Sequence, residues 1–298
     1  MISFENLILI TLLSPLLVCL LTPLLSSKPI LRDILGPLGG IISSWGAIQL
    51  MASILNGEQP RLELLQIAEG ISISFVVTPL GAIFGLVASV LWIFAAIYSV
   101  GYMRGNKEKN QTRFYIFYAM AVHAALCIAY AGDLLTLFIF YEVLTFSTYP
   151  LVTHKQNEMA QKAGRLYMSI LVGTSVILLL PAIIWVWVVT GSLEMSQNGV
   201  LDGKMNPDYA PYLLAMFVFG IGKAALMPIH KWLPAAMVAP TPVSALLHAV
   251  AVVKAGVFTM LLILTNVFGI DFLSKTGASN WLVWLASFTL LTTSIIAI

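Results

Sequence analysis

Charged side chains are scarce in this chain. Lysine and arginine together number 15 and aspartate and glutamate 13, so that only 9% of the 298 residues are charged, while 59% are hydrophobic. Soluble domains carry about 25% charged residues. The composition therefore excludes a soluble globular protein and predicts a polytopic membrane protein. A net charge of +2, scattered along the chain, gives no indication of a nucleic-acid partner.

Cysteine is almost absent as well. Cys19 and Cys127 are the two cysteines, and each lies in an apolar segment without CxxC or another metal-ligand spacing. A disulfide framework and an iron–sulfur cluster are therefore excluded as interpretations. We interpret both residues as core thiols and predict neither a cofactor nor a metal site. The first apolar run, near residues 7–25, lacks a basic segment before it and a small-residue cleavage site after it, which favours a retained span over a signal peptide.

Long apolar runs dominate the remainder. Taking about 20 residues per crossing, we predict nine spans: roughly 5–26, 31–55, 79–102, 112–131, 133–152, 164–190, 211–231, 241–264 and 280–298. Basic residues concentrate in alternate loops, namely Lys28, Arg32, Arg104, Lys107, Lys109, Arg113, Lys155, Lys162, Arg165 and Lys231. The positive-inside rule then predicts that the N-terminus lies outside. We expect the cell inner (plasma) membrane as the location.

Two further segments have their own patterns. Leu62 to Val77 alternates and is rich in β-branched residues, which predicts a short extended stretch or hairpin on the outer face. The ninth run reaches Ile298 without a polar tail. We expect the chain to be cut off inside that helix.

Three charged residues lie well inside predicted spans: Glu142, Lys223 and Lys254. Because a charge at bilayer depth costs free energy, we start from the hypothesis that an acidic or basic residue inside a span has a function. The alternative is that Glu142 and one lysine form a static ion pair that ties helices together, although such pairs contribute little net stability. Two lysines for one acid leave an unpaired base that could exchange protons, which favours transport.

Proline and histidine surround these lysines. Pro228 cannot donate to the carbonyl of Ala224, so we predict that helical hydrogen bonding fails just beyond Lys223 and that the seventh span is discontinuous. The eighth span is predicted to start at Thr241, as N-cap, with Pro242 following, and it could be discontinuous too.

Three histidines and Asp133 are less decisive. His248 is a candidate proton relay towards Lys254 through water, or a histidine bonded to a helix carbonyl. His230 and Lys231 are candidate groups where protons enter, with solvated packing as the alternative. For His123 we favour a structural role. Asp133 is expected to cap a helix at the outer edge of the membrane, within reach of water.

The runs KAALMPIHKWLPAAMVAPTPVSALLHAVAVVKAGVF and FYEVLTFSTYPL resemble the antiporter-like subunits (A and D type) of Mrp-type cation/proton antiporters, respiratory complex I and membrane-bound hydrogenases. The resemblance implies that Glu142 pairs with Lys223 and that His248 and Lys254 continue the proton path. It also implies two five-helix repeats of inverted topology, each with a broken helix. Family chains normally continue through about fourteen spans, so the second repeat is missing here.

The resemblance sets the expected organisation of an all-α polytopic membrane protein. Residues 1–111 would form an N-terminal three-helix segment with an outer extended loop, 112–264 the first five-helix proton-channel repeat, and 265–298 the truncated start of the second half. The expected partners are protons, Na+ as the candidate cation, the lipid bilayer and other integral membrane subunits, antiporter-like ones included.

The implied function is a proton-translocating subunit of a multisubunit Na+/proton antiporter, without catalytic activity of its own. The nearest alternative is a proton-pumping subunit of a complex I-like NADH:quinone oxidoreductase or a membrane-bound hydrogenase. Two others stay open: a membrane cytochrome with haem between His123 and His248, and a purely structural subunit.

Overall fold

The chain folds almost entirely into helices. The structure, a computed structural model, describes residues 3–297. The elements in order are α1 (Phe4–Leu21), α2 (Pro29–Leu55), β1 (Arg61–Ala68), β2 (Ile71–Val76), α3 (Pro79–Gly105), α4 (Gln111–Ala129), α5 (Leu134–Val152), α6 (Glu158–Thr190), α7 (Ala210–Gly220), α8 (Trp232–Ala235), α9 (Thr241–Phe268), α10 (Ile270–Thr276) and α11 (Asn280–Ala297). The prediction is an all-α polytopic membrane protein, and these elements support a mostly helical polytopic membrane protein with one β-hairpin.

The number of spans differs from the prediction of nine. Within residues 3–297, seven helices are long and apolar enough to cross a membrane, namely α1 to α6 and α9. Helices α10 and α11, bent by 99° against each other, make at most an eighth. The predicted seventh span is not a continuous helix, because α7 has 11 residues and ends at Gly220.

Three basic loops meet at one end of the helix bundle. Arg32, at the start of α2, donates to Gln111 and Thr112 at the start of α4. Arg113 of α4 donates to the carbonyl oxygen of His154, which follows α5. We call this end, which holds Lys28, Arg32, Asp33, Arg104, Arg113 and Lys155, the basic end. The side of the membrane that it faces stays a prediction.

The opposite end carries the predicted hairpin. Strands β1 and β2 pair antiparallel, with Arg61 opposite Val76, so the expected extended stretch is confirmed. Val76 N–H donates to the carbonyl of Tyr130 between α4 and α5, and Leu193 N–H, after α6, donates to the carbonyl of Gly70. The hairpin thus joins the α4–α5 and α6–α7 loops, and we call this the hairpin end.

Asp133 anchors the hairpin to α5. As predicted, it is the N-cap of α5, and its Oδ1 accepts from Thr136 N–H at 2.7 Å. Its other carboxylate oxygen accepts from the backbone N–H and the hydroxyl of Ser74 in β2. The expected water access is wrong, because Asp133 is completely buried under the hairpin.

Two helix starts also differ from expectation. Asn157 caps α6 by accepting from Ala160 N–H, so α6 begins at Glu158. Lys162 and Arg165 therefore lie in its first two turns rather than in a loop. In α9, Pro240 is the N-cap and Thr241 the first helical residue, without a side-chain cap. The chain enters α9 as extended backbone through Pro240, which leaves the Thr241 hydroxyl without the capping role.

Candidate functional site

The backbone breaks in the predicted seventh span, but earlier than expected. Helix α7 ends at Gly220, and Gly222–Ala224 and Ile229–Lys231 form two short 3-10 turns. A Cβ on Gly220 would lie 2.5 Å from the backbone nitrogen of Leu179, where α6 contains a π-helical turn. The break therefore coincides with close backbone packing between α7 and α6, which only glycine permits.

Pro228 is not the cause of this break. It is exposed and follows a cis peptide bond after Met227, inside a segment that is already non-helical. The amide of Ala224 bonds to Ile221 and that of Ala225 to Gly222. The prediction that Pro228 interrupts an α-helix at Ala224 is therefore wrong.

Neighbouring elements satisfy the polar backbone of the break. Trp232 Nε1 donates to the carbonyl of Gly222 at 3.0 Å, and Met227 N–H donates to the hydroxyl of Thr289 in α11 at 3.2 Å. The N–H of Lys223 donates to the hydroxyl of Tyr141 in α5 at 3.2 Å. Non-helical backbone at membrane depth persists where protein groups supply such partners.

Lys223 is fully buried at this break. Its Nζ donates to the carbonyl oxygen of Tyr141 at 2.8 Å and to the hydroxyl of Thr145 at 2.6 Å. The same Nζ lies 3.2 Å from the centre of the Tyr141 ring, a cation–π geometry. One turn of α5 thus surrounds the terminal amine with an oxygen, a hydroxyl and a ring face.

Glu142 follows Tyr141 directly in α5. Both of its carboxylate oxygens are buried and lack a hydrogen-bond partner among the described residues. In that same part of the chain, no ion pair within 4.0 Å joins Glu142 to Lys223. Glu142 follows Tyr141 in the chain and Lys223 contacts Tyr141, but the two charged groups do not form an ion pair. The structure therefore does not support a static ion pair that ties the two helices together.

The second lysine has a different environment. Lys254 in α9 is exposed on the surface of the chain, on the face that also exposes Val257 and Leu261. Two residues further on, a Cβ on Gly256 would lie 2.6 Å from the carbonyl carbon of Lys223. Helix α9 therefore packs against the break through Gly256, while the Lys254 side chain is not brought to Lys223.

His248 lies in an irregular part of α9. Leu246–Val250 form a π-helical turn, and the backbone bends at Ala251. The backbone between His248 and Lys254 is therefore not a regular α-helix. The His248 ring is half-buried, and its Nε2 lies 2.8 Å from Sδ of Met237.

His230 and Lys231, the candidate groups for proton entrance, sit in the second 3-10 turn. Lys231 is exposed, whereas Nδ1 of His230 is buried without a hydrogen-bond partner among the described residues. His123 is bonded elsewhere: its Nδ1 lies 2.8 Å from the carbonyl of Leu12 in α1, consistent with the structural role expected. His123 and His248 have separate neighbours, which removes the geometric basis for haem between them. Between residues 3 and 297, no group of three His, Cys, Asp or Glu could hold a metal ion.

Sequence reasoning missed several polar residues around Lys223. Tyr141 and Thr145 contact its amine directly, and Thr148, one turn further along α5, bonds to the hydroxyl of Tyr167 in α6 at 2.6 Å. Trp232 packs edge-on against Tyr167. The signal was in the sequence, because hydroxyl residues at positions 141, 145 and 148 share one face of a helix.

Two family profiles of known proteins match this chain. The family profile described as NADH:quinone oxidoreductase/Mrp antiporter, TM, matches residues 131–298, more than half of the chain. A second profile, NADH-Ubiquinone oxidoreductase (complex I), chain 5 N-terminus, matches residues 65–115.

Individual relatives are consistent with this family match. A protein of Staphylococcus haemolyticus (strain JCSC1435) provisionally named antiporter subunit mnhA2 is 25% identical over 82% of this chain and 31% of its own length. Its namesake in Staphylococcus aureus (strain MRSA252) is 29% identical over 70% of this chain and 25% of its own. The chain thus spans about a third or less of the curated relatives that it matches.

Two solved structures share the fold. A chain of the Mrp complex from Dietzia sp. DQ12-45-1b superposes with a TM-score of 0.74 at 23% identity, covering 85% of this chain and 28% of that chain. A chain of the membrane-bound sulfane sulfur reductase, an archaeal respiratory membrane complex, gives 0.70 at 24% identity, covering 86% and 40%.

Proposed function

The chain belongs to the NADH:quinone oxidoreductase/Mrp antiporter transmembrane family, and on that premise we propose that it is a proton-translocating subunit of a multisubunit monovalent cation/proton antiporter. Its relatives in two staphylococci carry the name of an antiporter subunit. We take Na+ as the exchanged cation and other integral membrane subunits as partners. The inner (plasma) membrane, with the N-terminus outside, is the proposed location.

The burial of Lys223 is the observation that supports this proposal most. A lysine is almost never fully buried without a role or a partner charge, and Lys223 is held by one carbonyl, one hydroxyl and one ring face instead of a carboxylate. Neutral partners tolerate both the ammonium and the amine, because the carbonyl accepts an N–H in either state and the hydroxyl can accept or donate. Lys223 is therefore suited to gain and lose a proton in place.

The other candidates take roles around this carrier. Glu142, buried and unpartnered beside Tyr141, would bias the charge state of Lys223 through the field of its carboxylate. Lys254 and His248 on α9 would continue the path, and His230 and Lys231 would be the groups where protons enter. Residues 112–264 would form the proton-channel repeat, flanked by 1–111 and by 265–298 as the start of a second half.

Removal of the carrier tests this function. The natural gene that encodes this chain is expressed together with the genes of its partner subunits in cells that lack the antiporter. Na+-driven proton flux is recorded in everted vesicles and normalised to assembled complex. We expect Lys223→Ala to abolish the flux, and Lys204→Ala, which removes an exposed loop lysine, to leave it unchanged. Glu142→Gln should lower the flux and Glu142→Asp should retain part of it. Undiminished flux in Lys223→Ala would overturn the proposal.

The alternative is a proton pump driven by redox chemistry, and the family description supports it because it includes NADH:quinone oxidoreductase. The same Lys223 chemistry would serve both assemblies. Co-purified subunits distinguish them, since flavin and iron–sulfur subunits indicate the redox-driven complex and small antiporter subunits indicate the exchanger.

A further inference from the structure

We propose that Tyr167, Thr148 and Thr145 form a hydroxyl relay that delivers protons from the basic end to the amine of Lys223. The proposal deepens the function proposed above and rests on it. It assigns a transport role to three residues that bear no charge, and it locates the route to Lys223 between α5 and α6.

The relay begins with the contacts of Lys223. Its Nζ is 2.6 Å from the hydroxyl oxygen of Thr145. Thr148 lies three residues nearer the basic end of α5, and its hydroxyl is 2.6 Å from that of Tyr167 in α6. At about 100° per residue, positions 141, 145 and 148 fall within roughly 60° of one another on the helix. They therefore line one stripe of α5 that leads from Lys223 towards the basic end.

Burial separates this stripe from solvent and lipid. Thr145, Thr148, Tyr167 and Lys223 are all completely buried. Helix α6 begins at the basic end, so Tyr167, nine residues after Glu158, lies about 13 Å along its axis from that end. The Tyr167 ring packs edge-on against Trp232, next to Lys231. Tyr167 is thus placed between the basic end and the buried lysine.

One gap separates Thr148 from Thr145. Side chains three residues apart on a helix have Cβ atoms about 5–6 Å apart, a separation that one bridging water molecule spans. In the resting arrangement the Thr148 hydroxyl donates to the carbonyl of Leu144 at 2.7 Å. Tyr167 is then the donor in its bond with Thr148, and rotation of the threonine hydroxyl redirects the Thr148 proton towards Thr145.

The proton balance of the relay is simple. A hydronium ion that enters from the basic end gives one proton to the Tyr167 oxygen and leaves as water, while Tyr167 gives its own hydroxyl proton to Thr148. Thr148 passes its proton through the bridging water to Thr145, and Thr145 passes its own to the unprotonated Nζ of Lys223. Each hydroxyl and the water lose one proton and gain one. The net change is the conversion of one hydronium ion and the Lys223 amine to water and an ammonium.

Near-isosteric variants test the relay in the assembled complex, with the same everted-vesicle assay of Na+-driven proton flux. We expect Tyr167→Phe and Thr148→Val each to slow the flux at least tenfold. Thr148→Ser, which restores a hydroxyl, should recover at least half of the wild-type flux. The matched controls are Ser147→Ala, whose buried hydroxyl bonds to the Leu144 carbonyl alone, and Tyr118→Phe, whose buried hydroxyl has no hydrogen-bond partner among the described residues. Both should transport normally.

Each outcome has a distinct meaning. Wild-type flux in Tyr167→Phe and Thr148→Val, together with loss in Lys223→Ala, would overturn the relay and leave the proposed function standing. If Thr148→Ser is as slow as Thr148→Val, the hydroxyl is not what matters, and the relay is overturned in favour of α5–α6 packing. Transport in Lys223→Ala would overturn the function itself. Should Thr148→Val fail to assemble, Tyr167→Phe, which removes one oxygen atom, decides the question.

Discussion

The close packing of Gly256 against the break predicts that Gly256→Ala lowers both stability and proton flux. The added Cβ would lie 2.6 Å from the carbonyl carbon of Lys223 and 3.0 Å from Cα of Ala224. Carbon atoms in ordinary contact are about 3.5 Å apart or more. Helix α9 and the break would have to separate by about 0.9 Å to remove the overlap, because both contacts involve backbone atoms that cannot rotate away.

That separation is large on the scale of the Lys223 contacts. The bonds from Nζ to Thr145 and Tyr141 are 2.6 and 2.8 Å long. A shift of about 0.9 Å directed along them would carry both beyond the usual limit of about 3.2 Å. Overpacking of a core costs about 1–3 kcal/mol, and a misplacement of about 1 Å can reduce the rate of a positioned reaction on the order of a hundredfold.

We therefore expect Gly256→Ala to lower the unfolding midpoint of the purified complex by several degrees and to reduce Na+-driven proton flux 10- to 100-fold. Gly101→Ala in α3 is the matched control, because its added Cβ meets nothing within 4 Å and alanine favours a helix by up to about 1 kcal/mol over glycine. Wild-type midpoint and flux in Gly256→Ala would refute the argument that α9 holds the break in place.

Three further predictions concern stability and the capped backbone. Asp133→Ala should cost more than 3 kcal/mol, measured by denaturant unfolding, because it leaves the Ser74 hydroxyl and the hydroxyl and N–H of Thr136 without their buried acceptor, each worth about 1–3 kcal/mol. Glu194→Ala, which removes the exposed pair with Arg61, should cost less than about 1 kcal/mol. Trp232→Phe should slow proton flux because the Gly222 carbonyl loses its indole donor, and an unchanged rate would show that this cap is dispensable. Burial, and then the positive charge of Arg113, lower the pKa of His154 at the basic end. Protonation therefore favours the unfolded chain, and stability should fall as the pH drops below the pKa of about 6.5 that histidine has when unfolded. His154→Gln should weaken this dependence, measured as unfolding midpoints between pH 7 and 5.

Some features followed from the sequence because they depend on local chemistry. Lys223 stood out as a charge within an apolar run, and the structure places it in the core. The hairpin between residues 61 and 76 followed from alternation and β-branching. Asp133 was recognisable as a helix cap from its position before α5. Each of these signals lies within a few residues of the feature it predicts.

Other features depend on which elements meet, and no local window contains that information. Pro228 was the stronger local signal for a break, yet the chain leaves the helix at Gly220, where contact with Leu179 of α6 decides the backbone path. The exposure of Lys254 follows from the rotation of α9 about its own axis. Periodicity within α9 could not fix that rotation, because the helix is apolar on nearly every face.

The break and the buried lysine depend on each other, which explains why the polar residues missed at first belong to the same site. A helix that stops at Gly220 leaves the Lys223 amide and the Gly222 carbonyl without helical partners, and these groups take the Tyr141 hydroxyl and the Trp232 indole instead. These two aromatic residues also have polar neighbours that lie in the same site. Thr145 follows Tyr141 by one helical turn, and Tyr167 packs against Trp232. A continuous helix would satisfy its own backbone groups and would need none of these partners. The discontinuity thus places hydroxyl and indole groups around Lys223, and these are the surroundings that the proposed relay would use.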